Sequence, residues 1–250
     1  MKPRKRFGQH FLHDPGVLKR IVEAIDPAPG EAIVEIGPGE GALTRPLLER
    51  IGHLTAIEID RDLAAGLALE FASQRLTVVT ADVLDFDFSV LPPGLRVVGN
   101  LPYNISTPIL FHLARYAGRV RDMHFMLQRE VVQRMVAQHS TPDYGRLSVM
   151  LQTRFKMHKL FNVAAGAFRP PPKVASAVVR LVPIAEQPDW DEAVLGKIVR
   201  QAFSARRKTL RNALPLAPRD YEELGIDPGL RPENLSPTDY LRITKRVCVR

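Results

Sequence analysis

The sequence predicts an α/β protein, with a parallel, doubly wound sheet followed by a small helical domain. Three observations carry that reading. Short apolar runs at residues 32–36, 54–60, 76–80, 95–100 and 123–127 alternate with helix-length segments. That is the pattern of parallel strands buried on both faces. The first run ends in Gly37-Pro38-Gly39-Glu40-Gly41, a tight turn opening directly into a helix. Beyond Pro183 the chain becomes short helical stretches separated by Pro215, Pro218, Pro228, Pro232 and Pro237.

The elements follow in order. Asp14-Pro15 has an N-cap carboxylate and a proline suited to the first helical position, so a helix is expected from there to about Ile25. After the strand at 32–36 come a helix over about 42–51, a strand over 54–60 and a helix over 61–72. A third strand ends at Ala81-Asp82, and a fourth ends in Gly99-Asn100-Leu101-Pro102-Tyr103. Helices over about 106–116 and 129–138 flank the strand at 123–127. A helical piece after Tyr144-Gly145 leads to β-like runs near 154–163 and 174–182, joined by the stiff connector Phe168-Arg169-Pro170-Pro171-Pro172-Lys173. The Pro-flanked stretch from Pro183 to Pro188 reads as a domain boundary, giving domains 1–185 and 186–250.

At 250 residues the chain is long enough for an α/β domain plus a small one. Its single cysteine, Cys248, excludes an internal disulfide or a cysteine metal cluster, and no metal site is expected. No apolar run reaches membrane-spanning length, and a soluble intracellular protein is expected. The net charge of +8 is uneven. Residues 1–20 carry six Lys/Arg against one Asp, and residues 200–211 carry five with no acid. The span 21–185 is nearly balanced, at 17 against 16. Two separated basic patches favour a polyanion such as nucleic acid over a merely solubilising tail.

The fourth strand's end carries the first chemical signal. Pro102 lacks an N–H and drives Leu101 extended, so the Leu101 carbonyl can converge with the Asn100 side chain. Two acceptors beneath the Tyr103 ring suit a planar group bearing an NH2, such as adenine, although a plain strand-end turn explains the tetrapeptide equally well. The glycine turn is ambiguous too, since Gly37-x-Gly39-x-x-Ala42 also fits a dinucleotide fingerprint. Glu35 just before the turn would repel a pyrophosphate but suit a cation. With Glu58 and Asp82 at the next strand ends, it matches a ligand holding adenosine, ribose and an ammonium–sulfonium end. S-adenosylmethionine is such a ligand, with Glu58 on the ribose and Asp82 on the adenine.

Together these segments resemble the ribosomal RNA adenine dimethyltransferases. The resemblance rests on Phe7-Gly8-Gln9-His10-Phe11-Leu12, Val34-Glu35-Ile36-Gly37-Pro38-Gly39-Glu40-Gly41, Glu58-Ile59-Asp60 and Ala81-Asp82. It continues through Gly99-Asn100-Leu101-Pro102-Tyr103-Asn104-Ile105-Ser106-Thr107-Pro108 and Phe168-x-Pro170-x-Pro172-Lys173-Val174-x-Ser176. Phe203-Ser204-x-Arg206-Arg207-Lys208-Thr209-Leu210 extends it into the helical tail.

The resemblance implies a Rossmann-like methyltransferase domain using S-adenosylmethionine. Cofactor contacts are expected at His10, Leu12, Gly37, Glu58, Asp82 and Asn100, with His10 standing where some members have Asn. It implies catalytic roles for Asn100, Leu101 and Pro102, with the target base clamped between Tyr103 and Phe168. For a lone Phe beside prolines, core packing is the plainer expectation. Arg4, Lys5, Arg6, Arg206, Arg207, Lys208 and Arg211 are expected to grip RNA phosphates. The implied substrate is 16S rRNA in an assembling small subunit, dimethylated at N6 of two adjacent adenosines of the 3′-terminal hairpin by a cytoplasmic monomer. Alternatives are an erythromycin-resistance-type large-subunit methyltransferase, a non-catalytic assembly factor and a nicotinamide dehydrogenase.

Overall fold

The computed structural model describes residues 10–71, 75–185 and 190–248. The expected RNA contacts Arg4, Lys5 and Arg6, and the segment Phe7-Gly8-Gln9, lie outside the described residues. The chain divides into two compact units, Met1–Val132 with Met157–Pro183, and Gln133–Lys156 with Ile184–Arg250.

The first unit is built on a seven-stranded sheet. In chain order its elements are β1 (Phe11–Leu12), α1 (Pro15–Ile25), β2 (Ile33–Ile36), α2 (Thr44–Ile51), β3 (Leu54–Glu58), α3 (Arg61–Glu70) and β4 (Leu76–Thr80). Then come β5 (Leu95–Asn100), α4 (Ser106–Ala114), β6 (Val120–Gln128) and α5 (Arg129–Val136), which runs across the unit boundary. After α6 (Arg146–Gln152) follow β7 (Phe155–Val163), β8 (Phe168–Arg169) and β9 (Ser176–Pro183). The sheet order is β4-β3-β2-β5-β6-β9-β7. Strands β4, β3, β2, β5 and β6 are parallel, and β9 runs antiparallel to β6. The mainly parallel α/β architecture expected from the alternating runs is therefore present. The central strands β2 and β5 have almost no exposed residues, because helices cover both faces.

Local signals explain the helix starts. Asp14 Oδ1 accepts from the Val17 N–H at 2.9 Å with Pro15 in the first turn, and Asp60 caps α3 through the Asp62 N–H at 3.0 Å. The connector 168–173, expected to be stiff and extended, also carries a strand pairing that the sequence does not announce. Its first two residues form β8, which pairs antiparallel with β1, Leu12 opposite Phe168 and Phe11 opposite Arg169.

At the amino-terminal end of the sheet, Arg96 of β5 is 4% exposed and makes a bidentate pair with Asp122 of β6, Nε–Oδ1 2.9 Å and Nη2–Oδ2 3.0 Å. Its Nη1 also reaches Glu31 at 2.7 Å, and its guanidinium donates to the Ile25 and Asp26 carbonyls. One side chain thus ties β5, β6 and the end of α1 together. Removing one partner would strand a buried charge, at a cost of about 3–5 kcal/mol.

His124, two residues on in β6, is 2% exposed, and neither ring nitrogen makes a hydrogen bond of normal geometry among the described residues. Burial pushes its pKa down to about 4, against an opposing pull from Asp122. A folded-state value below the unfolded one near 6.5 gives stability that is full above that pH and lost as pH falls toward 4. Between pH 7 and pH 5 the expected loss is about 2 kcal/mol. Urea melts at the two pH values should show this extra loss in the native chain, and a His124→Phe variant should lack it.

The second unit contains α6, α7 (Glu192–Ser204), α8 (Leu210–Ala213), α9 (Pro218–Leu224) and α10 (Pro237–Cys248). The sequence reading assigns residues 133–156 to the first domain, but here they group with the helices of the tail. The reason is tertiary. Tyr144 and Val149 are fully buried with Leu195, Val199, Tyr240 and Ile243. The Tyr144 hydroxyl donates to the Leu235 carbonyl at 2.9 Å, and the Ser140 N–H to the Glu233 carbonyl at 2.7 Å. Among the described residues no helix is long and apolar enough to cross a membrane.

Candidate active site

The carboxyl ends of β2, β3 and β5 surround a cavity of about 700 Å³ whose wall also includes β1 and α1. Open α/β sheets bind ligands at this edge, and a cavity of this size suits a nucleotide-like molecule. Gly37 follows β2 at φ 65°, and a Cβ built on it would meet nothing within 4 Å, so the turn leaves open space where a ligand can approach backbone. Its N–H is held by the Ile57 carbonyl at 2.9 Å.

Of the carboxylates that line the cavity, Glu35, Glu58 and Asp82 stand at three successive strand ends. Glu35 of β2 is 2% exposed and accepts from the Thr44 hydroxyl at 2.6 Å. Burial, reinforced by neighbouring Glu58, pushes its pKa up to about 7 against that hydrogen bond. Glu58 of β3 is 5% exposed, and burial raises its pKa as well. Its oxygens accept from the Asp60 N–H at 2.9 Å and the Gly39 N–H at 3.2 Å, which orients the carboxylate while leaving lone pairs on both oxygens. Asp82, past β4, is half-buried and accepts from the Leu84 N–H at 2.9 Å.

Asn100 ends β5 beside this acidic cluster. Its Nδ2 donates to the His10 carbonyl at 2.9 Å. A carbonyl can only accept, so this bond fixes which end of the amide is NH2 and leaves Oδ1 as a free acceptor among the described residues. Leu101 uses its N–H on the Met126 carbonyl at 3.2 Å, and its own carbonyl accepts no hydrogen bond among the described residues. Tyr103 is half-buried, its hydroxyl 2.5 Å from Ser176 Oγ. The His10 ring stacks on it at 5.7 Å and 28°, held by an Nδ1–H donated to the Pro170 carbonyl at 2.8 Å.

His10, Leu12, Gly37, Glu58, Asp82, Asn100, Leu101, Pro102 and Tyr103 therefore all line one cavity. Phe168 does not. It is 2% exposed and packs in the core with Leu12, Met126 and Val178, so the expectation of a base clamp formed with Tyr103 is corrected. Its position in β8, opposite Leu12, turns the ring inward. Arg206, expected to grip RNA phosphate, donates to the Pro142 carbonyl at 2.9 Å and lies 3.4 Å from Glu233, whereas Arg207, Lys208 and Arg211 are exposed.

A family model described as ribosomal RNA adenine dimethylase matches residues 1–248. The chain belongs to that family. It is an rRNA adenine methyltransferase that works with S-adenosylmethionine. Among similar proteins, the ribosomal RNA small subunit methyltransferase A of Aromatoleum aromaticum is 59% identical over 253 residues, covering 100% of this chain and 96% of that one. The protein of the same name from Thiobacillus denitrificans is 59% identical over 252 residues, covering 99% of each. Of solved structures, a dimethyladenosine transferase from Plasmodium falciparum has TM-score 0.84 at 26% identity, covering 96% of this chain and 98% of its own. The 23S rRNA methyltransferase ErmE has TM-score 0.73 at 29% identity, covering 95% and 99%.

Sequence reasoning missed the tether from His10 to Asn100, which joins residues 90 positions apart, and the part played by His10 as a stacking partner of Tyr103. It also missed Thr44, the hydroxyl that holds Glu35. No local signal in the sequence marks any of the three.

Proposed function

We propose that this adenine dimethylase transfers methyl groups to N6 of two adjacent adenosines in the 3′-terminal hairpin of 16S rRNA. It would do so as a cytoplasmic monomer acting on an assembling small subunit. The observation that carries the chemistry is the Asn100 amide, whose NH2 is spent on the His10 carbonyl and whose Oδ1 is thereby left to accept. The small-subunit assignment draws on the names of relatives that are 59% identical across nearly the whole chain.

The residues present fit the cofactor. A nearly sealed carboxylate, Glu35, has no cationic side chain bonded to it among the described residues and sits beside a second, Glu58. A sulfonium-bearing ligand with an ammonium end supplies the missing positive charge. Glu58 would take the ribose hydroxyls and Asp82 the adenine amino group, while Gly37 would lie against the ligand and His10 and Leu12 would close the wall. When bound, S-adenosylmethionine supplies an electrophilic methyl group.

The chain's own residues prepare the nucleophile. The N6 lone pair of adenine is delocalised into the ring, which makes it unreactive. Hydrogen bonds from the amino group to Asn100 Oδ1 and to the Leu101 carbonyl would hold the nitrogen with its lone pair directed toward the methyl. Positioning and a fixed dipole then do the catalysis, and no side chain is asked to be a strong base. Pro102 keeps Leu101 extended. The base must leave its stack to reach these acceptors, and the Tyr103 ring, backed by His10, offers it a flat face. Each transfer would form an N6–CH3 bond as the sulfonium carbon–sulfur bond breaks. The methylated nitrogen, cationic and hence acidic, would release one proton to water, so the second transfer would proceed with a single remaining N–H to donate to the acceptor pair.

The reading is tested by incubating undermethylated small subunits and, separately, large subunits with methyl-labelled S-adenosylmethionine. Label confined to small-subunit rRNA is the expected result. Label in large-subunit rRNA would overturn the substrate assignment in favour of the resistance-type activity.

A further inference from the structure

The near balance of charge over residues 21–185 conceals a sharp segregation. All 16 acids fall between residues 21 and 143, while residues 144–185 hold seven Lys/Arg and no acid. Two of those cations, Arg169 and Lys173, lie on the segment that bonds the His10 ring and the Tyr103 hydroxyl, two groups of the cavity wall. Arg129, outside that run, is the first residue of α5 and is joined to the same segment through its backbone N–H.

Backbone bonds close these segments around Tyr103. Arg169 pairs with Phe11 across β1 and β8, and the next carbonyl, of Pro170, holds the His10 ring that stacks on Tyr103. Lys173 follows in the loop to β9. The Arg129 N–H donates to the Ala175 carbonyl at 2.9 Å, and the neighbouring Ser176 hydroxyl meets the Tyr103 hydroxyl. Arg129, Arg169 and Lys173 are all exposed, and none makes a side-chain hydrogen bond or ion pair among the described residues. The acid adjacent in sequence, Glu130, has a partner of its own. Three uncommitted cations on tethered backbone, next to a site built for an extruded base, match a chain of phosphates.

We infer that Arg129, Arg169 and Lys173 form a phosphate clamp at the mouth of the site, gripping the RNA backbone on either side of the target adenosine. This rests on RNA being the substrate. It adds positioning residues that are distinct from the acceptor pair and from the basic run at residues 200–211. The clamp brings the nucleotide to the mouth in register with the Asn100 acceptor and reads no sequence, because phosphate contacts position without specifying.

The test uses the full chain with Arg129, Arg169 and Lys173 changed together to Gln, compared with an Arg61→Gln/Arg115→Gln control that removes exposed cations elsewhere in the same unit. Affinity for a 3′-terminal small-subunit rRNA fragment is measured between 50 and 200 mM KCl. Losing three phosphate contacts should flatten the slope of log K against log salt by about 2–3, since each is worth about 0.7–0.9. The KM for RNA should rise far more than kcat falls, and S-adenosylmethionine affinity should match that of the native chain. Two results would overturn the clamp. One is a salt slope no flatter, per charge removed, than the control's. The other is a loss that falls on kcat or on cofactor affinity. A native enzyme that labelled large-subunit rRNA would sink the substrate reading instead, and the slope could then be read on that RNA.

Discussion

Replacing Asn100 with Ala is expected to cut methyl transfer by about 10²–10³-fold, the range found when one oriented polar group is removed from an active site. RNA affinity should remain nearly native. The asymmetry follows from geometry. Asn100 is a single half-buried side chain whose amide is spent between the His10 carbonyl and the acceptor position. The RNA backbone is expected to be gripped elsewhere. Truncation therefore removes an interaction that matters at the transition state, together with the tether that keeps His10 against Tyr103. Single-turnover transfer at saturating RNA and cofactor reads the first effect, and equilibrium RNA binding reads the second. A parallel loss of both would mean that Asn100 holds the fold or the RNA and not the nucleophile.

Gly99→Ala is expected to damage stability and activity together. A Cβ at position 99 would sit 2.5 Å from the Ile36 backbone carbonyl oxygen, and no side-chain rearrangement can relieve a clash with backbone. Strands β2 and β5 would have to part where they carry Glu35 and Asn100. The cost is expected at the upper end of overpacking, about 3 kcal/mol, and a chain of this length should then melt roughly 6–12 °C lower. Cofactor affinity should fall as well, because the strand ends that shift are those forming the cavity wall. Thermal melts with and without S-adenosylmethionine check both parts, and an unchanged melting temperature would show that the strands separate at no cost.

Much of this was legible because it is written locally. Apolar runs, the Asp14-Pro15 cap and the glycine turn specify their own conformations within a few residues, and Asn100-Leu101-Pro102-Tyr103 displays its acceptors wherever it is placed. The parts that were not legible depend on partners remote in the chain. Phe168 looks the same in sequence whether it faces a base or a core, and only pairing with Leu12 decides. Tyr144 joins the helical unit through a carbonyl at Leu235. Arg96 and Asp122 read as two ordinary strand charges until parallel pairing places them side by side. Arg206 belongs to an evident basic run, yet Pro142 and Glu233 engage it, as only the folded second unit could show.

The central claim is that Asn100 Oδ1 and the Leu101 carbonyl direct methyl groups onto the exocyclic amino nitrogen of adenine. The measurement that tests it most directly is nucleoside mass spectrometry of small-subunit rRNA after reaction with the native chain and with Asn100→Ala. The account predicts N6,N6-dimethyladenosine from the native enzyme, with only traces from the variant in the same time. Methylation of a ring nitrogen by the native enzyme, or dimethyladenosine formed by the variant at the native rate, would contradict it.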